Sequence, residues 1–231
     1  KMHCFGRFGK TMDEKTFWQR YSRFYPYLER STVYRRLIQD TLAFAAHPNP
    51  QFVCDIGCGP GVLLVNYLKA FPSIQRAIAV DFCEEFLSLA RSRVRQECPE
   101  WLQSGKVSFL AHNLMEPLPF PDDSMDVLLA GLVFPYITYH NGHRGVGALL
   151  GLLKEAFRVL REGGVLVWST PKPDSNFWAV LFASWKDILD FRHPENLLYA
   201  PILLAYALTI QRKGRKRHLH LPFRAIPLGA P

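Results

Sequence analysis

Two carboxylates and three glycines are the residues of this 231-residue chain whose types and spacing could do chemistry together. Asp55 stands two residues before the first glycine of Gly57-x-Gly59-x-Gly61, between a β-type run at 51–56 and a stretch of helical periodicity at 62–71. Glycines at the foot of a helix permit a tight turn and let backbone N–H groups approach a ligand. The spacing departs from the Gly-x-Gly-x-x-Gly of dinucleotide binders and lacks the Gly-Lys-Ser/Thr ending that cradles nucleoside triphosphates. A carboxylate at Asp55 would repel a pyrophosphate and attract a cationic amino group.

Asp81 follows the apolar run Ala77-Ile78-Ala79-Val80, twenty residues after Gly61. An acid at the end of a second strand is placed to accept hydrogen bonds from both hydroxyls of a ribose. The combined requirement is a nucleoside without phosphates that also carries an amino acid. S-adenosylmethionine fits that description.

The elements that must hold these residues follow from periodicity. After an aromatic helical region at 13–46, the sequence predicts strands at 51–56, 77–80, 106–111, 127–132 and 165–169, with helices over 62–71, 84–95 and about 146–160. A proline-rich loop runs up to Asp126, and Gly163-Gly164 reads as a turn before the last strand. Strands alternating with helices at this spacing imply right-handed crossovers, so the fold class is α/β, doubly wound, with a mostly parallel sheet. Ligands in such sheets bind beyond the carboxyl ends of the strands. The expected division is a helical lid at 1–46, a binding domain at 47–171 and an extension at 172–231.

With 48% of residues apolar and 21% charged, the composition suits one compact domain and excludes a disordered or fibrous chain. The net charge of +8 is concentrated at the ends: residues 1–36 carry nine Lys/Arg against three Asp/Glu, and 211–231 carry six against none. The stretch between has thirteen against seventeen. An acidic body with basic ends suits an anionic surface, whether headgroups or nucleic acid, or else carries solubilising tails. Five cysteines without metal-ligand spacing give no zinc site and no disulfide framework, so Cys54 and Cys58 read as packing residues and the expected compartment is the cytoplasm. The opening residues carry no continuous apolar run of the signal-peptide kind, and the chain starts with Lys, as a fragment would.

Four segments then carry a family resemblance: VCDIGCGPG (53–61), AVDF (79–82), HNLMEPLPFPDDSMDVLLA (112–130) and LLKEAFRVLREGGVLVWST (152–170). In this order the chain resembles a class I S-adenosylmethionine-dependent methyltransferase, similar to the small-molecule C-methyltransferases of ubiquinone and menaquinone biosynthesis, over roughly residues 15–170. The resemblance implies a Rossmann-like fold and S-adenosylmethionine as cofactor, with S-adenosylhomocysteine as product. It also implies that Asp55, Gly57, Gly59 and Gly61 surround the methionine part, Asp81 takes the ribose hydroxyls and Phe82 lies against the adenine. Asn113, with Leu114 beside it, stands where the family most often has Asp for the adenine edge. In resembling enzymes the N-terminal helix closes over the cofactor, which points to Trp18, Tyr21 and Tyr25, with the ordinary core as the competing place for any one of them.

Methyl transfer needs alignment more than protein acids and bases, unless the acceptor must lose a proton. The place to look for a base is just past the fourth predicted strand, where His140 stands near Tyr136 and Tyr139. His140 is the expected base or acceptor positioner, with an ordinary loop residue as its alternative. The Asn/Asp-Pro-Pro-aromatic signature of DNA amino-methyltransferases is missing there, so DNA is disfavoured.

After Pro171 come two apolar segments, the second being Leu197 to Ile210, and then the basic cluster QRKGRKR. Fourteen residues interrupted by Pro201 are too few to span a bilayer, which takes about 20. Apolar segments followed by Lys/Arg suit either an interfacial anchor over 177–217 on an anionic membrane, or a cap over the site. The expected acceptor is a small, hydrophobic or lipid-like molecule. RNA or protein methylation, and a non-catalytic partner protein that binds the cofactor, are the alternatives.

Overall fold

The computed structural model describes residues 14–137 and 139–170, together with Ala183, Asp187 and Pro201. The expected extension at 172–231 therefore lies almost wholly outside the described residues.

Three short helices open the described chain: α1 (Glu14–Ser22), α2 (Tyr25–Leu28) and α3 (Thr32–Phe44). Then follow β1 (Phe52–Ile56), α4 (Val62–Ala70), β2 (Arg76–Asp81), α5 (Glu84–Glu97), α6 (Pro99–Gln103) and β3 (Val107–Ala111). After a loop without a helix come β4 (Met125–Gly131), a 3-10 turn at Phe134–Tyr136, the two-residue strands β5 (Tyr139–His140) and β6 (His143–Arg144), α7 (Val146–Val159) and β7 (Leu160–Ser169).

Five strands form one parallel sheet in the order β3-β2-β1-β4-β7, as the strand–helix alternation predicts. The chain winds outward from β1 to β3 and then returns to lay β4 on the other side of β1. The strand order therefore reverses between β1 and β4, and the crevice at their carboxyl ends is where such sheets bind ligands. Because side chains alternate across a strand, each strand feeds two cores. Val53, Ala77, Ala79, Val107, Val127 and Leu129 face the layer of α3 to α6 with Leu64, Tyr67, Leu87 and Trp101. Cys54, Ile56, Ile78, Val80, Leu128 and Ala130 face α7 with Leu152, Ala156 and Val159. Burial on both faces is why these strands read as continuous apolar runs.

Three details differ from the sequence expectation. Gly163-Gly164 is no separating turn: it sits inside β7, which begins at Leu160, and Gly163 at φ 77 marks an irregularity where the register with β4 shifts. The short α6, with Pro99 in its first turn, was not expected. Nor was the β5–β6 hairpin, whose Asn141-Gly142 tip takes positive φ at both residues, as a type I′ turn requires.

Candidate active site

The loop after β1 is shaped by backbone freedom and by what lies behind it. Gly57, Gly59 and Gly61 have φ of 68, 51 and 76, conformations that side chains with a Cβ avoid. A Cβ on Gly57 would stand 2.5 Å from Val133 Cγ2, and one on Gly61 would stand 3.0 Å from the Cβ of Ala90 on α5. Gly59 instead opens onto free space, with nothing within 4 Å of the corresponding position.

Asp81, at the end of β2, ties this loop down. One carboxylate oxygen accepts the N–H of Gly59 at 3.0 Å and the other accepts the N–H of Cys83 at 2.9 Å. The carboxylate keeps acceptor capacity for an incoming hydroxyl. Burial raises the Asp81 pKa to about 6, against the lowering by the N–H groups of Cys83, Gly59 and Phe82. Asp55, at the end of β1, is 1% exposed, and its Oδ2 is buried without a hydrogen-bond partner. Burial first, and then the nearby Asp81 charge, push its pKa up to about 8. An ionised oxygen buried in this way calls for a cation or a donor that none of the described residues provides.

Asp55 lines a cavity with Gly57, Cys58 and Gly59 from the loop, Gly131 and Leu132 from the end of β4, and Ser169 from the end of β7. Tyr25, Tyr34 and Ile38 from the N-terminal helices close it. Leu132 adopts φ 59, which costs a branched side chain roughly 1–2 kcal/mol. Its N–H is held by the carbonyl and the hydroxyl of Ser169, at 3.0 and 3.2 Å. The enclosed space is about 30 Å³, room for a water or two and too little for an amino acid. A larger groove of about 510 Å³, lined by Phe52, Ile78, Leu110, Phe120 and Met125, opens instead among the residues where β1, β2 and β4 begin. It lies at the wrong end of the sheet to share this chemistry.

These side chains fit the cofactor named from sequence. The Asp55 oxygen that lacks a donor suits an ammonium, the Asp81 carboxylate suits a diol, and the space beside Gly59 suits a chain of atoms passing the backbone. Phe82, 38% exposed, offers an open ring beside Asp81.

The other predicted residues divide. Asn113 follows β3 and its Oδ1 already accepts the N–H of Met115 at 3.1 Å, so it shapes its own turn, while Leu114 is buried against the α7-side core. Tyr136 is brought to the lid, its ring 4.9 Å from that of Trp18. Tyr21 packs with Cys83 and Phe86, beside the end of β2, while Tyr25 and Tyr34, hydrogen-bonded to each other at 3.0 Å, line the cavity. His140, expected as a base or acceptor positioner, lies inside the protein. It is 1% exposed, its Nδ1 lies 2.9 Å from the carbonyl oxygen of Leu114, and its ring packs on Gly151. The imidazole fastens the hairpin to the loop after β3. Tyr139 pairs with Arg144 through the backbone, and its side chain lies outside the described residues. Tyr34 and Ile38 were missed, although the buried Tyr34, Ile38 and Thr41 mark one face of α3 at helical spacing.

Comparison with known proteins agrees with this geometry. A methyltransferase-domain family model matches residues 54–168. The chain carries a methyltransferase domain of the S-adenosylmethionine-dependent kind. Its methyltransferase domain is 30% identical over 115 residues to demethylmenaquinone methyltransferase of Lactococcus lactis, covering 50% of this chain and 40% of that protein. It is 28% identical over 115 residues to a probable methyltransferase of Aspergillus luteorubrus, covering 50% and 38%. A solved structure from Methanococcus maripaludis, described as an S-adenosyl-L-methionine-dependent methyltransferase, shares the fold with a TM-score of 0.54 and 14% identity, covering 89% of this chain and 86% of that one. The chain spans well under half the length of the two curated relatives named here.

Proposed function

We propose that this chain transfers the methyl group of S-adenosylmethionine to a small, hydrophobic or lipid-like acceptor. The observation that carries the reading is the buried Asp55 carboxylate, one oxygen without a partner, facing a glycine loop that Asp81 holds in place. When bound, the cofactor supplies the electrophilic methyl group and the leaving group. Asp55 would neutralise the ammonium, Asp81 would grip the ribose, and Gly57, Gly59 and Gly61 would let the backbone lie along the ligand. The lid aromatics exclude water, which orients the reactants and strengthens the Asp55 contact. Tyr136, beside Trp18, is the hydroxyl nearest in sequence to the end of β4 that this arrangement offers to an acceptor.

The lipid-like acceptor is supported by the apolar lid and by the demethylmenaquinone methyltransferases among the relatives. Incubation with methyl-labelled S-adenosylmethionine and a panel of prenylated phenols and quinols should transfer label to one of them. The reading fails if neither S-adenosylmethionine nor S-adenosylhomocysteine binds. Binding without transfer to any lipid, RNA or protein substrate would leave the non-catalytic partner instead.

No helix among the described residues is long and apolar enough to cross a membrane. Peripheral attachment through 177–217 is a proposal from sequence alone, since the apolar Leu197 to Ile210 precedes a basic cluster. The chain should float with phosphatidylserine-containing vesicles and lose that property on deletion of 197–217. Equal flotation with and without the segment refutes attachment there.

A further inference from the structure

Arg93 on α5 is not among the cofactor residues above, yet it touches both the loop and the lid. Its Nε donates to the carbonyl of Pro60 in the glycine loop at 2.9 Å. One terminal nitrogen pairs with Glu29, the residue that follows α2, and the other pairs with Glu97 at 3.0 Å. Three bonds from three separate nitrogens of one rigid plane are what a guanidinium offers, whereas the three donors of an ammonium share a single rotatable nitrogen.

The Glu29 contact is set in a partly dry place. The Arg93 and Glu29 side chains are 23% and 16% exposed, and Glu29 Oε1 is buried without a hydrogen-bond partner among the described residues. Burial raises the Glu29 pKa, and the Arg93 charge is the first influence opposing it. Removing one member of such a pair leaves the other buried and uncompensated. Glu29 is also one helical turn beyond Tyr25, and its N–H donates to the Tyr25 carbonyl. Drawing Glu29 onto Arg93 therefore sets Tyr25 in the cavity wall, opposite the loop that Arg93 holds through Pro60.

The space that Tyr25 and Tyr34 close over Asp55 is smaller than an amino acid, so the amino-acid part of a ligand reaches Asp55 only if that wall shifts. We propose that the Arg93–Glu29 pair is the latch that re-forms when the lid closes over a loaded site, which makes Arg93 a positioning residue that registers lid against loop. This rests on the reading of the site given under Proposed function.

Glu29→Gln keeps the side chain's size and leaves the Arg93–Pro60 contact in place. In stopped-flow tryptophan fluorescence, S-adenosylhomocysteine should dissociate from the variant about tenfold faster, the ratio expected of a roughly 1.4 kcal/mol contact, and should associate no more slowly, because the same contact holds the lid down in the free protein. Arg93→Lys, which keeps the charge without the fork, should fall between. Hydrogen exchange on the free protein supplies a second readout: amides of 14–44 should exchange faster in Glu29→Gln, while those of β1, β2 and β4 keep their rates. Unchanged dissociation, or an equal rise in exchange across lid and sheet, overturns the latch. If the wild type binds no S-adenosylhomocysteine, the cofactor reading falls, and the exchange experiment still decides whether Glu29 holds the lid.

Discussion

Asp55 keeps one oxygen unpaired in the protein interior, and its pKa stands near 8 with Asp81 near 6. Both are raised above the ordinary carboxylic range, so the folded chain holds protons that the unfolded chain has released. The stability they contribute is complete below about pH 4, and it is lost as pH rises through 6 for Asp81 and 8 for Asp55. Asp55→Asn removes the buried charge. It should therefore raise the melting temperature at pH 8, while weakening S-adenosylhomocysteine binding by roughly 30-fold or more in calorimetry. A variant both more stable and equally able to bind would remove Asp55 from the site. His140→Ala belongs to the opposite class: it leaves a hole beside Gly151 and frees the Leu114 carbonyl. It should cost about 1–3 kcal/mol in chemical denaturation, with the cofactor affinity of the folded fraction unchanged.

The contrast between these residues shows what a sequence can reveal. Asp55, the glycines and Asp81 act through backbone geometry fixed within a few residues, so their spacing alone carries the information. His140 is defined by a carbonyl 26 residues away, and Tyr34 by a cavity whose other wall comes from the ends of three strands. Nothing local distinguishes a histidine that binds a backbone from one that moves a proton.

At the scale of elements, the strand–helix alternation was readable because each strand is apolar on both faces and each helix after a strand has one buried stripe. The β5–β6 hairpin and the start of β7 were not, since two-residue strands and a glycine-containing irregularity are weak local signals. One long-range contact bears on the lid. Ser31, at the N-terminus of α3, makes no side-chain cap, and the Asp187 carboxylate takes its place, accepting the N–H and the hydroxyl of Thr32 at 2.8 and 2.9 Å. An acceptor at a helix N-terminus is worth about 1 kcal/mol. Asp187→Ala should destabilise by about that amount and speed hydrogen exchange in α3 more than in α4. Equal exchange in both helices would show that α3 does not depend on this cap. Since α3 carries Tyr34 and Ile38, a residue beyond the sheet helps to set the wall of the cleft.

For the whole molecule, the topology places every shared feature of the site at one end. β1 and β2 deliver Asp55 and Asp81, while β4 and β7 deliver Leu132 and Ser169 to the crevice where strand order reverses. A cationic ligand entering there favours ionised Asp55, the reverse of what the free fold favours. Binding should therefore expel protons near pH 7, and the calorimetric enthalpy of S-adenosylhomocysteine binding should vary with the ionisation enthalpy of the buffer. Affinity should rise from pH 6 towards pH 8 as Asp55 ionises more readily. A buffer-independent enthalpy would show that Asp55 is already ionised in the free protein.

Cys58 gives this arrangement a built-in gauge. Its thiol lies in the cavity wall, 6% exposed, and burial together with the Asp81 and Asp55 charges holds it protonated. A small neutral alkylating reagent can reach that sulfur only in molecules whose roof is raised, so the rate of adduct formation at Cys58, followed by peptide mass spectrometry, counts openings directly. Occupancy by the nucleoside should silence the signal, turning an inert packing residue into a clock for how often the enzyme uncovers its own interior.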